Sequence, residues 1–149
     1  MEEFAFRTKI AAGPGAVAAL KELGAHRLFL VTEAPFAENG MAQKVIEAAG
    51  SREAEIFDAV PLEPTMALAA EVTARCAAFG PDLLAALGSA GAIDCAKAAL
   101  YFGERDIPFV TIPVRFGSGS QVTDILELTH EHRTYTLKSP RLQPVLTVL

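Results

Sequence analysis

Tryptophan is absent from this sequence, and cysteine occurs only twice, at Cys76 and Cys95. Two widely separated cysteines, with no CxxC and no evenly spaced set, exclude a disulfide-stapled scaffold and point to a reduced, cytoplasmic setting. Basic residues are also few: 13 Lys and Arg stand against 18 Asp and Glu, a net charge of −5. That balance disfavours a surface that binds DNA or RNA by neutralising phosphates, so no nucleic-acid partner is expected. Although 51% of the residues are hydrophobic, charges interrupt each apolar stretch well before the roughly 20 residues needed to cross a bilayer. The opening MEEFAFRTKI is acidic and lacks an apolar core, so neither a secretory signal nor a membrane partner is expected.

The 149 residues fit one domain, and their pattern alternates between strands and helices. After an apolar stretch from Phe4 to Ile10, GPGAVAALKEL shows helical spacing at Val17, Leu20 and Leu23, with Pro14 suited to a helix start. The continuous apolar run Leu28 to Val31 predicts a strand covered on both faces. A helix from about Met41 to Ala49 closes on Gly50, AEIFDAV reads as a strand, and a helix opens at Thr65 and closes at Gly80. DLLAAL is the next strand, Ser89 to Leu100 the next helix, and PFVTIPV the next strand. Parallel strands need such crossovers, so the fold class is α/β, a Rossmann-like doubly wound, mostly parallel sheet. Beyond Val114, VTDILELTHEHRTYTLKS alternates apolar and polar residues with a charged break at Glu131, which predicts an antiparallel hairpin appended to the sheet. The closing PVLTVL reads as an apolar strand cut short at Leu149.

In this fold class, ligands bind at the carboxyl ends of the strands, beside helix N-termini. Gly88 and Gly91 stand at such a strand-to-helix joint. Lacking Cβ atoms, they let backbone N–H groups approach a diphosphate; the alternative is a tight turn that needed small residues. A second loop after a strand offers Gly117, Ser118, Gly119 and Ser120, with two hydroxyl donors. Glu33, at the end of the RLFLVT strand, is placed to accept ribose hydroxyls and repel a 2′-phosphate, which selects NAD over NADP; a solvated strand end is the other reading.

The order of these motifs resembles the N-terminal dinucleotide-binding domain of the iron-containing (group III) alcohol dehydrogenases. The supporting stretches are GPGAVAALKELGAHRLFLVTE, ALGSAGAIDCAKA, IPFVTIPVRFGSGSQVTD and TLKSPRLQPVLTVL, which run through nearly the whole chain. The family pattern G-G-G-S-x-x-D-x-x-K falls on Gly88, Ser89, Ala90, Gly91, Asp94 and Lys97. The resemblance implies that this loop faces the NAD(P) pyrophosphate, with Asp94 toward the cofactor groove; Lys97 either points there too or pairs with Asp94 at i,i+3. The second pattern, T-T-x-G-T-G-S-E-V-T, falls on Val114 to Thr123 and adds Val114, Arg115, Gly117, Ser118 and Ser120 to the cofactor contacts. Here Val114 lacks a hydroxyl, Phe116 adds volume, and Ser89 and Ala90 add Cβ atoms, while Arg115 is available as a phosphate partner.

For the full enzyme the resemblance implies hydride transfer between an alcohol and nicotinamide, with iron or zinc polarising the alcohol oxygen. Family members hold that metal on one aspartate and three histidines of a C-terminal helical domain, which begins just after the SPxLxP strand. No D-x-x-x-H pair starts at Asp58, Asp82, Asp94, Asp106 or Asp124, so no metal ligand and no catalytic residue is assigned to residues 1–149. The expectation is a dinucleotide-binding domain that is inactive alone and partners a missing C-terminal domain. The alternative is a degenerate binding or assembly module that keeps the fold and forms a homodimer. His130 and His132, two apart on a presumed strand, share a face suited either to a metal or to solvent. His26 reads as a surface residue, and Cys95 as a buried helix packer or a helix-start thiol of lowered pKa.

Overall fold

The computed structural model describes residues 7–115 and 119–149. In chain order the elements are β1 (Lys9–Ala11), a 3-10 segment (Ala16–Leu23), β2 (Arg27–Thr32), α1 (Ala34–Glu38), α2 (Met41–Ala49) and β3 (Glu53–Phe57). These are followed by α3 (Met66–Phe79), β4 (Leu83–Gly88), α4 (Ala90–Phe102), β5 (Phe109–Pro113), β6 (Ile125–His130), β7 (Arg133–Lys138) and β8 (Leu146–Val148). Six strands form one sheet in the order β1-β8-β5-β4-β2-β3, and every neighbouring pair is parallel.

The apolar runs become strands with two buried faces because side chains alternate across a pleat. In β2, Phe29 and Val31 enter one core while Leu28 and Leu30 enter the other; in β4, Leu84 and Ala86 oppose Leu83, Ala85 and Leu87. Helices α3 and α4 cover the first face, and α2 with the 3-10 segment covers the second. Helix α4 is buried at every position from Gly91 to Leu100. It lies under the sheet, α3 and the β6 residues Leu126 and Leu128 at once, which explains its alanine-rich sequence: close neighbours leave no side for long side chains.

Thr65 caps α3 by accepting the Leu68 N–H at 3.2 Å, and Gly80 (φ 66°) closes that helix in the left-handed region. The expected N-terminal helix is instead a 3-10 segment: Ala16 and Ala18 donate to Gly13 and Gly15 three residues back, and Gly15 (φ 81°) precedes the first turn. Pro14 therefore sits in the turn before the cap, and Phe4 to Phe6 lie outside the described residues.

The hairpin β6–β7 is antiparallel as expected but makes its own two-stranded sheet. It joins the domain by packing on α3 and α4 and by the Thr129 N–H donated to Pro64 O at 3.2 Å. Glu131 (φ 48°) and His132 (φ 62°) make its two-residue turn. His130 ends β6 while His132 lies in that turn, so the expectation that the two histidines share a strand face is corrected.

Removing the Thr65 hydroxyl orphans the first-turn N–H groups of α3. Thr65→Ala is expected to lower stability by about 1 kcal/mol, read as a shift in the urea midpoint at unchanged m-value.

Candidate functional site

The chain moves from β2 to β3 on one side of the sheet and from β4 to β5 on the other, so the crevice lies beyond the ends of β2 and β4. Glu33 follows β2, and Ser89 is the residue before α4. Across the crevice, Glu33 Oε1 accepts the Ser89 backbone N–H at 2.9 Å and also the Ser89 hydroxyl. An anionic oxygen thus occupies the positive end of α4. Gly88, at φ 142°, admits it: a Cβ there would lie 2.9 Å from Glu33 Oε1. Gly91 is small for a different reason, since its Cβ would come 3.1 Å from the carbonyl oxygens of Pro61 and Leu62. The loop before α3 packs backbone to backbone on the first turn of α4.

Lys97 is fully buried. Its Nζ donates to the carbonyls of Ser120 and Ile125, each at 2.7 Å, and to Thr123 Oγ1 at 3.3 Å. Both sequence expectations for Lys97 are thereby corrected: it neither faces the crevice nor forms an ion pair with Asp94, because the backbone carbonyls claim its ammonium. Burial pushes that ammonium down to about 8, against the opposing pull of Asp94 and Asp124.

Neighbouring carbonyls of the same segment are also held. The hydroxyls of Thr111 and Thr147 each reach Gln121 O at 2.7 Å, and Gln143 Nε2 donates to Val122 O at 2.6 Å. Val114 N–H donates to Gly88 O at 3.0 Å, which ties the end of β5 to the first loop. Arg115 is exposed, and Phe116, Gly117 and Ser118 lie outside the described residues.

Asp94 is only 7% exposed, and its Oδ1 has no hydrogen-bond partner among the described residues. Burial pushes its carboxyl up to about 7; Lys97 and the Glu127 backbone N–H pull it down, and the Glu127 carboxylate pushes it up. Two adjoining cavities meet here. One of about 250 Å³ is lined by Glu63, Gly91, Asp94, Glu127, Thr129 and Thr134 among others, and one of about 200 Å³ by Ser120, Thr123 and Ile125. Ala90, Asp94 and Glu127 line both, so the two glycine-bearing loops reach one cleft through Ala90 and Ser120.

The sequence reading missed Glu127 and Thr123. They belong to β6 and its approach, which read as a plain alternating hairpin, and only its docking on α4 brings them to Asp94. A separate, almost wholly apolar groove of about 440 Å³ runs along α3 beside Phe102. Burial raises the Cys95 thiol to about 12 and the Cys76 thiol to about 11, so the lowered-pKa reading of Cys95 is corrected. His26 is exposed, and its backbone N–H is held by the Asp82 carboxylate at 3.0 and 3.1 Å. Among the described residues, no helix is long and apolar enough to cross a membrane.

A parallel sheet with helices on both faces and a ligand crevice at its switch point defines the doubly wound α/β class. Residues 7–149 match the family model of the iron-containing alcohol dehydrogenases. The chain belongs to that family, and it corresponds to the N-terminal part of its members. It is similar to a 1-propanol dehydrogenase of Citrobacter freundii, 25% identical over all of this chain and 42% of the relative. A sulfoacetaldehyde reductase of Bilophila wadsworthia is 31% identical over 78% of this chain and 36% of its own. The chain therefore spans less than half the length of these relatives. Among solved structures, an iron-containing alcohol dehydrogenase of Thermococcus thioreducens superposes with a TM-score of 0.88 at 23% identity, covering 99% of this chain and 46% of that one. A sulfoacetaldehyde reductase of Bifidobacterium kashiwanohense, solved in complex with NAD+, superposes with a TM-score of 0.89 at 21% identity over the same shares.

The shifted pair makes stability depend on pH with a definite sign. The folded Asp94 carboxyl stays protonated up to about 7, whereas the unfolded one ionises near 3.8. Folding thus becomes less favourable as the pH rises across that window. For Lys97, folded near 8 and unfolded near 10.5, stability rises again across the upper window. Asp94→Asn is expected to abolish the acid-side decline and to raise stability at pH 8 relative to the parent chain, measured by urea unfolding from pH 4 to 10.

Proposed function

We propose that this chain is the NAD-binding domain of an alcohol dehydrogenase-like oxidoreductase, a domain that is inactive without the family's metal-holding partner domain. The observation that carries the reading is the anionic oxygen of Glu33 seated on the Ser89 N–H at the switch point. An N-terminus that holds a carboxylate, with a Cβ-free Gly88 beneath it, fits one pyrophosphate oxygen once the Glu33 side chain turns away. Glu33 is then free to accept the ribose hydroxyls and to oppose a 2′-phosphate. Ser89 and Ala90 offer further donors at the start of α4, and exposed Arg115 is available to the diphosphate.

When bound, the nicotinamide supplies a hydride acceptor for the alcohol carbon. The relatives named as a 1-propanol dehydrogenase and as sulfoacetaldehyde reductases support that reaction class, and the NAD+ complex of one supports the cofactor. Among the described residues no three His, Cys, Asp or Glu side chains stand together as ligands, and the reading leaves the metal to the family's C-terminal part. The domain is accordingly read as the nucleotide side of a two-domain, cytoplasmic enzyme.

With no tryptophan in the chain, calorimetry is the practical titration. Saturable NADH binding is expected, about ten-fold tighter than NADPH because a carboxylate faces the extra phosphate. Glu33→Ala is expected to erase that preference and to cost about 1 kcal/mol of stability through the lost contact at the start of α4. The chain supplied with Fe2+ or Zn2+ and an alcohol is expected to reduce no NAD+. Absence of nucleotide binding, or robust metal-dependent turnover by the chain alone, overturns the reading.

A further inference from the structure

Asparagine occurs once in the 149 residues, at Asn39, and the residue after it is Gly40. The pair forms the turn between α1 and α2: the Asn39 N–H donates to Pro35 O at 3.0 Å, and Gly40 O accepts the Lys44 N–H at 3.1 Å. Asn39 is exposed. Gly40, at φ 87°, precedes α2 and brings no side chain to cap it. The Asn39 side chain does so instead, its Oδ1 accepting the Met41 N–H at 2.9 Å. The ring closed by that bond contains both Asn39 Cγ and the Gly40 nitrogen, so the amide carbon is folded back along the peptide that follows it. A Cβ built on Gly40 would meet no atom within 4 Å; neither a side chain nor a packed neighbour stands on that side of the peptide. The positive end of α2 favours the negative charge that Oδ1 gains when its carbon is attacked.

We propose that Asn39 is a site of spontaneous modification, where the chain converts its own asparagine into aspartyl and isoaspartyl residues. Turning the Asn39 ψ away from its 0° brings the Gly40 nitrogen onto Cγ, a rotation that an exposed turn followed by glycine permits. Hydroxide takes the Gly40 amide proton and the nitrogen attacks Asn39 Cγ. The new N–C bond forms, the Cγ–Nδ2 bond breaks, and ammonia leaves with a proton from water, which yields a five-membered succinimide. Water then opens the ring. Addition at Cγ restores the main chain and gives aspartate; addition at the former main-chain carbonyl leaves Cγ in the backbone, which is the isoaspartyl link. One water enters for one ammonia lost, and nothing is oxidised or reduced. The aspartate keeps an acceptor for the Met41 N–H and adds a negative charge at the positive end of α2. The isoaspartyl form lengthens the main chain by one methylene, with only the five-residue α1 between it and Glu33.

The test holds the full chain at pH 8 and at pH 6, folded in buffer and unfolded in guanidinium chloride, and follows it by isoelectric focusing and mass spectrometry. Because Asn39 is the sole asparagine, each modified chain gains one negative charge. The folded chain is expected to accumulate that acidic form, faster at pH 8 than at pH 6. Its rate is expected to lie within about thirty-fold of the unfolded chain's, the effect of ordering one residue's backbone. The tryptic peptide Leu28–Lys44 is expected to carry the change, with the larger share labelled by isoaspartyl methyltransferase. Asn39→Ser, which keeps an oxygen for the Met41 N–H, is expected to hold its starting charge. A folded chain that stays unchanged while the unfolded one converts overturns the proposal, as does an acidic form that still arises in Asn39→Ser. An acidic form without the methyltransferase label overturns the cyclic route. None of these readouts involves a nucleotide, so the proposal stands or falls apart from the cofactor reading.

Discussion

One buried ammonium holds the cleft together. Lys97 sits in the middle of α4, the helix whose N-terminus forms the first loop, and its Nζ takes up the carbonyls of Ser120 and Ile125. Those carbonyls flank the approach to β6, so the same bond network fixes the second loop and starts the hairpin. An amine in an apolar interior is costly unless its donors are satisfied, and satisfying them here requires the segment from Ser120 to Ile125 to lie in one place. Thr111, Thr147 and Gln143 complete the restraint by taking the carbonyls of Gln121 and Val122. The wall of the cleft is therefore irregular backbone made rigid by buried side chains.

The electrostatic surroundings change along the first turns of α4. At the end of β2 and β4 the exposed N–H groups of α4 create a partial positive charge, and Glu33 answers it from the neighbouring strand. Five residues further on, burial and the Glu127 carboxylate oppose ionisation of Asp94.

Several local features were legible because each follows from near neighbours in the chain. Thr65 and Gly80 mark the ends of α3, Gly50 closes α2, and the break at Glu131 becomes the hairpin turn. The site was legible in outline, since a small-residue turn between an apolar strand and a helix places Gly88 and Ser89 at a crevice in this fold class. Its internal wiring was not. Gly91 reads as a phosphate contact by spacing, and the carbonyls of Pro61 and Leu62 give its small size a packing reason that spacing does not show. Lys97 reads as a groove residue, yet the interior claims it. Glu127 gave no signal, because an acid on the outward face of a strand is ordinary until something is known to face it.

The sequence by itself determined the alternation of elements and the parallel sheet with two buried faces, since apolar periodicity and turn chemistry are properties of short segments, and the order of its motifs carried the resemblance to the family. Tertiary structure alone decided that β6 and β7 leave the sheet to cover α4, that Lys97 is spent on backbone carbonyls, and that Asp94 and Glu127 share a cavity. Those outcomes depend on which distant segments meet, and the energies that settle them, desolvation and long-range hydrogen bonding, have no value until the chain has closed around the groups concerned.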